Sequence, residues 1–329
     1  MKKLGVAVIA GGPSAEAEVS RTSARGVVAA LQKAGHSVTL LELNAEIAAR
    51  LTGTRFDVVF PVTHGPLGED GCLQGLLEVL DLPYVGSQVM ASAVAASKPH
   101  AKVQLRARGL PVADDVTLTP GEVSEARVKE VRQRLGKRIV VKPASGGSAI
   151  GVEMIGADLS DEDVLAAFQR VFALEPAALV EPFVAGFEVT CGVLEAGEAE
   201  ARALPPTWIR PQAAEHYDFV SKYRAGGSEH VCPAPFEPAL TARIQACAVE
   251  AHRALGCRDL SRVDFVVNPE GQGSFIVLEV NTLPGMTATS LFPEAALVAG
   301  ISFESLCDRL VQVAWARPRR VPQQGVAMP

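Results

Sequence analysis

Apolar and polar positions divide the chain into three stretches with different rhythms. From Lys2 to about Ala95, the short apolar runs LGVAVIA, HSVTLLEL, FDVVFPV and PYVG alternate with segments of helical spacing at Ser20 to Ala34, Ala45 to Leu51 and Asp70 to Leu80. Strand followed by helix, repeated, predicts a parallel sheet covered by helices. Ligands of such sheets sit at the carboxyl ends of the strands, which directs attention to the loops Gly11 to Val19 and Thr63 to Gly71. A long helical segment from Ser87 to Gly109 leads to PVADDVTLTP, which reads as a domain boundary.

The middle stretch predicts strands at Arg138 to Lys142 and Leu179 to Phe183, separated by the glycine-rich loop ASGGSAIG, the strand VEMI and a helix from Asp161 to Phe172. The last third opens with the strand EVTCGVLE and a Pro- and Gly-rich irregular stretch from Leu204 to Pro235. A helix from Pro238 to Leu255 follows, then a hairpin, then a final helix from Phe303 to Ala316. The hairpin strands, SRVDFVV (Ser261 to Val267) and SFIVLEVN (Ser274 to Asn281), both alternate with period two around the turn NPEGQG. The tail RPRRVPQQGVAMP has no periodicity, so it is expected to be disordered, its three arginines at a solvated end. No internal repeat is present.

Composition narrows the function classes. The 329 residues, 48% hydrophobic and 21% charged, suit an ordinary soluble protein of two or three domains. A net charge of -6 lacks the basic footprint of a nucleic-acid binder, so an anionic substrate requires a local basic pocket. Lys2 and Lys3 before an apolar run resemble a signal-peptide start, but the run is short and leads into GGPSAEAEVS without a cleavage segment, so it reads as a first buried strand. No stretch approaches the length of a membrane span, and a cytoplasmic enzyme is expected. Six cysteines, scattered without C-x-x-C spacing, are expected as reduced core thiols.

The chemistry concentrates on the hairpin. With its turn centred between Gly271 and Gln272, Asp264 lies opposite Glu279 and Arg262 opposite Asn281. Cross-strand partners stand about 5 Å apart at Cβ, where two facing carboxylates repel unless a cation lies between them. Asp264, Glu279 and the amide oxygen of Asn281 suit Mg2+, which takes one or two carboxylates together with substrate phosphates. A solvated hairpin face closed by an Arg–Asp pair is the alternative for these residues alone. In IVVKPASGGSAIG, a β-branched strand delivers Lys142 to a loop whose backbone N–H groups can close over an anion; a simple flexible turn fits the same residues. The loop is not a Walker A motif, because the lysine precedes the glycines, and AGGPSAEAEVS supplies no G-x-G-x-x-G dinucleotide fingerprint. Glu181 beside Pro182 and Phe183 suits a purine, and Glu188 is within reach of a ribose.

Taken in order, Lys98, Lys142 with its glycine loop, EPF-x4-E, R-x-D and E-x-N resemble the ATP-grasp plan, in which two α+β lobes clamp ATP and magnesium. With GGPSAEAEVS, THGPLGEDGCLQGLLE, LPYVGSQVMASAVAASK, SKY and LEVNTLPGMTATS added, nearly the whole chain resembles the D-alanine:D-alanine ligase family. The resemblance implies an N-terminal parallel α/β substrate-binding domain over 1–95, a central ATP-grasp lobe over 96–184, and a carboxyl-terminal lobe with the metal and acceptor sites over 185–316, followed by the tail. The implied reaction phosphorylates the carboxylate of one D-alanine with ATP, and the amine of a second attacks the acyl phosphate to give the dipeptide for peptidoglycan synthesis. Substrates are then ATP and D-alanine, with two Mg2+ ions as cofactors, Mn2+ as a substitute, no nucleic-acid or membrane partner, and homodimer formation allowed.

By the same resemblance, Glu16 anchors the ammonium of the first D-alanine and His64 neighbours its carboxylate region. Lys98, Lys142 and Lys222 neutralise ATP phosphates, Glu181, Phe183 and Val184 surround adenine, and Glu188 meets the ribose. Asp264, Glu279 and Asn281 hold the metals, while Arg262 and the backbone of Gly285 stabilise the oxyanion. Ser290 and Leu291 receive the carboxylate of the second D-alanine, and Tyr223 and Ser148 close the site through a link to Glu16.

Ala149 stands where the family often has a serine, Gly146 where it has an acid, and Phe219 where it has a tyrosine, which predicts looser loop closure. Ser97 and Pro99 replace an aspartate and a helix former beside Lys98, which leaves the placement of that lysine open. Two rivals remain at the level of sequence: a ligase with D-lactate, D-serine or another amino acid as the second substrate, of which the Lys222–Tyr223 pair, favouring an amine nucleophile, counts against D-lactate, and a Rossmann-type NAD oxidoreductase. The missing dinucleotide fingerprint counts against the oxidoreductase. A catalytically silent binding module is expected to have lost Arg262 or a metal ligand, and neither is lost.

Overall fold

The computed structural model describes residues 2–195, 200–211, 228–268 and 273–318. Its first sheet is parallel, with β1 (Gly5–Ala10) between β2 (Ser37–Glu42) and β3 (Val58–Pro61). β1 is apolar on both faces because both are covered. Val6, Val8 and Ala10 face a core shared with α1 (Ala17–Lys33) and the final helix Phe303–Ala316, while Ala7 and Ile9 face α2 (Ile47–Gly53) and α3 (Cys72–Val79). The segment PYVG adds only a single parallel bridge, Val59 to Tyr84, rather than a strand.

The helical segment after it is two helices, α4 (Val89–Ala96) and α5 (Lys98–Ala107). Ser97 is extended (φ −101°, ψ 101°) and forms an antiparallel bridge with Ser145, and the Lys98 N–H donates to the Ala144 carbonyl at 2.9 Å. Pro99 in the first turn of α5 tolerates this break, since the missing N–H of a first-turn proline needs no partner. Ala101 and Leu105 of α5 enter the core of the carboxyl-terminal sheet.

A four-stranded antiparallel sheet forms the middle, in the order β4 (Val116–Leu118), β7 (Ala178–Pro182), β5 (Ile139–Pro143) and β6 (Glu153–Ile155). Helices α6 (Glu125–Leu135) and α7 (Asp161–Phe172) cover one face through Val128, Val131, Val164 and Phe168. β4 lies within the segment read as a boundary, and α6 in the stretch after it to which the sequence assigned no element. A three-residue strand and a helix with just Val128, Val131 and Leu135 buried give little periodic signal.

The last sheet runs β11 (Ser228–Val231), β10 (Thr207–Pro211), β8 (Phe187–Leu194), β12 (Leu260–Asn268) and β13 (Ser274–Asn281), with β9 (Arg202–Ala203) on β8. β10 and β11 correct the expectation of an irregular stretch from Leu204 to Pro235: among its described residues they form an antiparallel pair, with Trp208 opposite Val231. Helix Pro238–Ala254 covers one face, packing Ile244, Ala248 and Ala251 against Val189, Cys191, Val263 and Phe265. The alternate residues Glu188, Thr190, Arg262 and Asp264 therefore emerge on the opposite face. All six cysteines are free thiols.

Candidate active site

The hairpin pairs as its alternation predicts at the end that matters: Arg262 faces Asn281 and Asp264 faces Glu279. Beyond Asp264 the register slips by one, so that Phe265 faces Val277 and Asn268 faces Ser274. The β-bulge at Leu278 turns both Leu278 and Glu279 toward the cavity, while Val277 and Val280 enter the core. Strict period two in SFIVLEVN is thus broken at the residue before the metal-ligand candidate.

Asp264 is held by three neighbours. The Arg262 guanidinium donates twice to it, at 2.9 and 2.7 Å; the Thr190 hydroxyl donates at 2.6 Å and the Asn281 amide at 3.0 Å. The Arg–Asp pair of the solvated-face alternative therefore exists, but Arg262 is buried and the pair lines a cavity of about 440 Å³. Glu279 lies across from it with the Lys98 ammonium 3.8 Å from its carboxylate. Two carboxylates, one amide oxygen and an open cavity fit the hard-oxygen, few-ligand habit of Mg2+ with a phosphate-bearing substrate. No group of three or more His, Cys, Asp or Glu side chains that could hold a metal ion by itself occurs among the described residues.

Across the cavity stands the glycine loop. β5 buries Ile139 and Val141 against α7, so that Val140 and Lys142 line the opposite side. Ser148 (φ 58°) and Ala149 (φ 56°) both adopt the left-handed region that side chains disfavour, a conformation concentrated at functional loops. Lys98 reaches the Gly146 carbonyl, so the break at Ser97 delivers this lysine between the glycine loop and the hairpin. Burial pushes the Lys98 ammonium down from its ordinary value, opposed by the carboxylates of Glu279, Glu181 and Glu69.

The rest of the lining is a mostly apolar slot, in which Val140, Met154, Phe183, Val184, Ile276 and Leu278 are joined by Arg138 and Glu188. The Arg138 guanidinium stacks on Phe183 at 4.1 Å. Glu181 is buried, gripped by Lys142 at 2.5 Å and also by Lys102. Burial is the largest single influence on this carboxyl and would raise it, but the two ammonium groups together outweigh it and hold Glu181 below the usual carboxylate range. Sequence reasoning missed Lys102, Thr190 and Arg138. Two spacings carried a signal: Lys102 is four residues after Lys98 on one helix, and Thr190 is two after Glu188 on one strand face.

Of the remaining candidates that lie among the described residues, Leu291 lines this cavity, and the others are placed by contacts of their own. The Ser148 hydroxyl donates to Glu16, and both side chains are buried, tying the glycine loop to the first domain. His64 lies in the loop after β3 with its Nδ1 3.9 Å from Glu69, away from the cavity lining. A Cβ on Gly285 would stand 2.9 Å from the Ser290 hydroxyl, which itself accepts the Thr287 N–H at 3.0 Å; Leu291 reaches the cavity. Lys222, Tyr223 and Phe219 lie outside the described residues.

A parallel α/β domain, and a cavity with a glycine loop and two lysines on one side and a carboxylate hairpin on the other, together define an ATP-grasp fold. The comparisons narrow this class. Models of the D-ala D-ala ligase N-terminus and C-terminus match residues 43–87 and 104–312. A D-alanine–D-alanine ligase of Gluconobacter oxydans is 44% identical over 95% of this chain and 99% of its own, and one from Anaeromyxobacter sp. is 42% identical over 94% and 96%. Among solved structures, a D-alanine–D-alanine ligase from Coxiella burnetii superposes with a TM-score of 0.81 at 29% identity, covering 96% of this chain and 94% of that one. One from Bacillus anthracis, complexed with ATP, gives 0.80 at 28%, covering 94% and 97%; a D-Ala:D-Ser ligase from Enterococcus faecalis gives 0.81 at 28%, covering 95% and 100%. The chain belongs to the D-alanine–D-alanine ligase family.

Proposed function

We propose that this site carries out ATP-dependent joining of two D-alanines through an acyl phosphate, with the residues acting as follows. Lys98 and Lys142 meet the phosphates of ATP, whose purine lies in the slot against Phe183 and Val184 and whose ribose meets Glu188. Lys222, from the segment preceding β11, adds a third cation. Asp264, Glu279 and Asn281 hold Mg2+, which when bound neutralises phosphate charge during transfer. Glu16 receives the ammonium of the first D-alanine, with His64 beside its carboxylate. Arg262 and the Gly285 N–H stabilise the oxyanion formed when the second amine attacks, a role typically worth a few kcal/mol in the barrier. Ser290 and Leu291 take the carboxylate of the second D-alanine. The Glu16–Ser148 contact, with Tyr223 completing it, closes the site against water, which would hydrolyse an acyl phosphate.

One observation carries the reading. Asp264 and Glu279 face each other across a hairpin whose other boundary is Lys98, Lys142 and the glycine loop, so cation-binding oxygens and phosphate-binding ammonium groups share one cavity. Phosphoryl transfer demands chiefly this kind of positioning and charge balance. The acceptor is the point at which related proteins diverge, since one structural neighbour is a D-Ala:D-Ser ligase. Phosphate release measured with D-alanine, D-serine and D-lactate as acceptors tests it: D-alanine is expected to be preferred at neutral pH, and a strong preference for either of the others overturns the assignment. No helix among the described residues is long and apolar enough to cross a membrane. We place the reaction in the cytoplasm, where ATP is available, and the family resemblance supports a homodimer, which sedimentation of the purified chain would reveal.

A further inference from the structure

Lys102 is buried to 2% exposure and has no part in the mechanism above. It belongs to a line of alternating charges that starts at the nucleotide cavity and runs inward. Lys142 lies 2.5 Å from one oxygen of Glu181; Lys102 grips the other and stands 3.3 Å from Asp115; Asp115 in turn meets Arg106 at 2.5 Å. Lys142 opens into the cavity, whereas Lys102 does not line it. Lys98, one helical turn before Lys102, projects from the same side of α5 toward the glycine loop.

The line has an uneven balance. Glu181 holds two ammonium groups where one would neutralise it. For Lys142 to meet a phosphate, its tie to Glu181 must loosen, and a buried carboxylate stripped of its counter-ion is strongly disfavoured. Lys102 removes that obstacle, because Glu181 keeps a cation on its far oxygen whatever Lys142 does. We propose that Lys102 is a positioning residue for nucleotide binding: by remaining on Glu181, it allows Lys142 to transfer from Glu181 to the phosphates of ATP. The inference rests on the assignment of Lys142 to ATP. Lys102 itself touches no substrate, and Glu181 acts here as a parking site for Lys142 as well as a wall of the purine slot.

Steady-state kinetics on the purified full-length chain separates this role from simple scaffolding. Lys102→Met is expected to raise the KM for ATP by about tenfold, equivalent to about 1.4 kcal/mol, while kcat and the KM for D-alanine change by less than about twofold. Glu181 also lines the nucleotide cavity, so Glu181→Gln sets its own baseline; in that background Lys102→Met is expected to raise the KM for ATP by less than about twofold further, because a neutral amide needs no replacement cation, whereas a merely structural lysine would cost the same in both backgrounds. Should Lys102→Met not fold, Asp115→Asn serves instead. It leaves Lys102 wholly to Glu181, so the KM for ATP is expected to stay level or fall, and a rise overturns the proposal. An unchanged KM for ATP in a folded Lys102→Met, or additive losses in the double variant, also overturns it. Lys142→Met tells the two failures apart: if it leaves the KM for ATP unchanged, the assignment of Lys142 to ATP is wrong, and if it raises that KM while Lys102→Met does not, only the role of Lys102 falls.

Discussion

Individual side chains in this site are constrained by neighbours that can be named. Glu279 shares the cavity with Lys98 and faces Asp264, and its carboxylate is the one member of the hairpin set not engaged by Arg262 or Thr190. Glu279→Gln keeps the shape and removes a charge that a divalent cation requires. Turnover is expected to fall on the order of 10²-fold or more, with the melting temperature unchanged; near-normal turnover at saturating magnesium would refute the ligand role. Gly285 makes a different point. A methyl there would meet the Ser290 hydroxyl at 2.9 Å, closer than carbon and oxygen tolerate, so the Ser290 side chain proposed for the acceptor carboxylate must move. Gly285→Ala should raise the KM for the second D-alanine and leave that for ATP near its original value. Equal changes in both would mean that the loop does not serve the acceptor alone.

Elements place these side chains, and here the sequence was readable in proportion to its periodicity. The helices Asp161–Phe172 and Phe303–Ala316 and the strand Ser274–Asn281 fall where their patterns predict, because each helix buries a continuous stripe and the strand turns Phe275 and Val277 alternately into the core. The Asp264–Glu279 pairing was legible for the same reason. The bulge at Leu278 was not, since an extra residue in one strand preserves the pairing on one side of it and only displaces the other. The break at Ser97 was hidden as well: its cause is a partner 48 residues away, the bridge to Ser145, rather than a local breaker. α7 shows what an element contributes to the site. Its Ser160 caps the helix by accepting the Asp163 N–H at 3.2 Å, and Val164, Phe168 and Val171 press on the back of the strand that carries Lys142. Ser160→Ala is expected to cost about 1 kcal/mol, lowering the melting temperature by a few degrees with kcat unaffected. A loss of activity without a loss of stability would show that α7 does more than support β5.

At the scale of the whole molecule, sequence order and packing diverge. The last helix joins the first sheet, and α5 joins the core of the last one, so the boundaries proposed at 95, 184 and 316 divide the sequence more cleanly than they divide the cores. Arg317 shows this most sharply. Expected at a solvated end, it pairs instead with the buried Asp259 and donates to the Tyr84 carbonyl at 3.0 Å, joining the end of the last helix to the edge of the first domain and the start of β12. Asp259 also accepts the Gly86 N–H at 2.7 Å. Burial pushes its carboxyl above the ordinary value, and Arg317 opposes that push. A carboxyl raised in the folded chain binds its proton more tightly there than when unfolded, so stability falls as pH rises above about 4, the ordinary carboxylate value. Removing Arg317 widens the difference. Arg317→Ala is therefore expected to destabilise the protein by about 3 kcal/mol near neutral pH, and by progressively less as the pH is lowered toward 4, where a protonated Asp259 no longer needs a cation. Denaturant melts at a series of pH values read this directly: a loss independent of pH would assign the effect to packing of the Arg317 stem against the first domain, and no loss at all would mean that the end of the last helix does not hold the domains together.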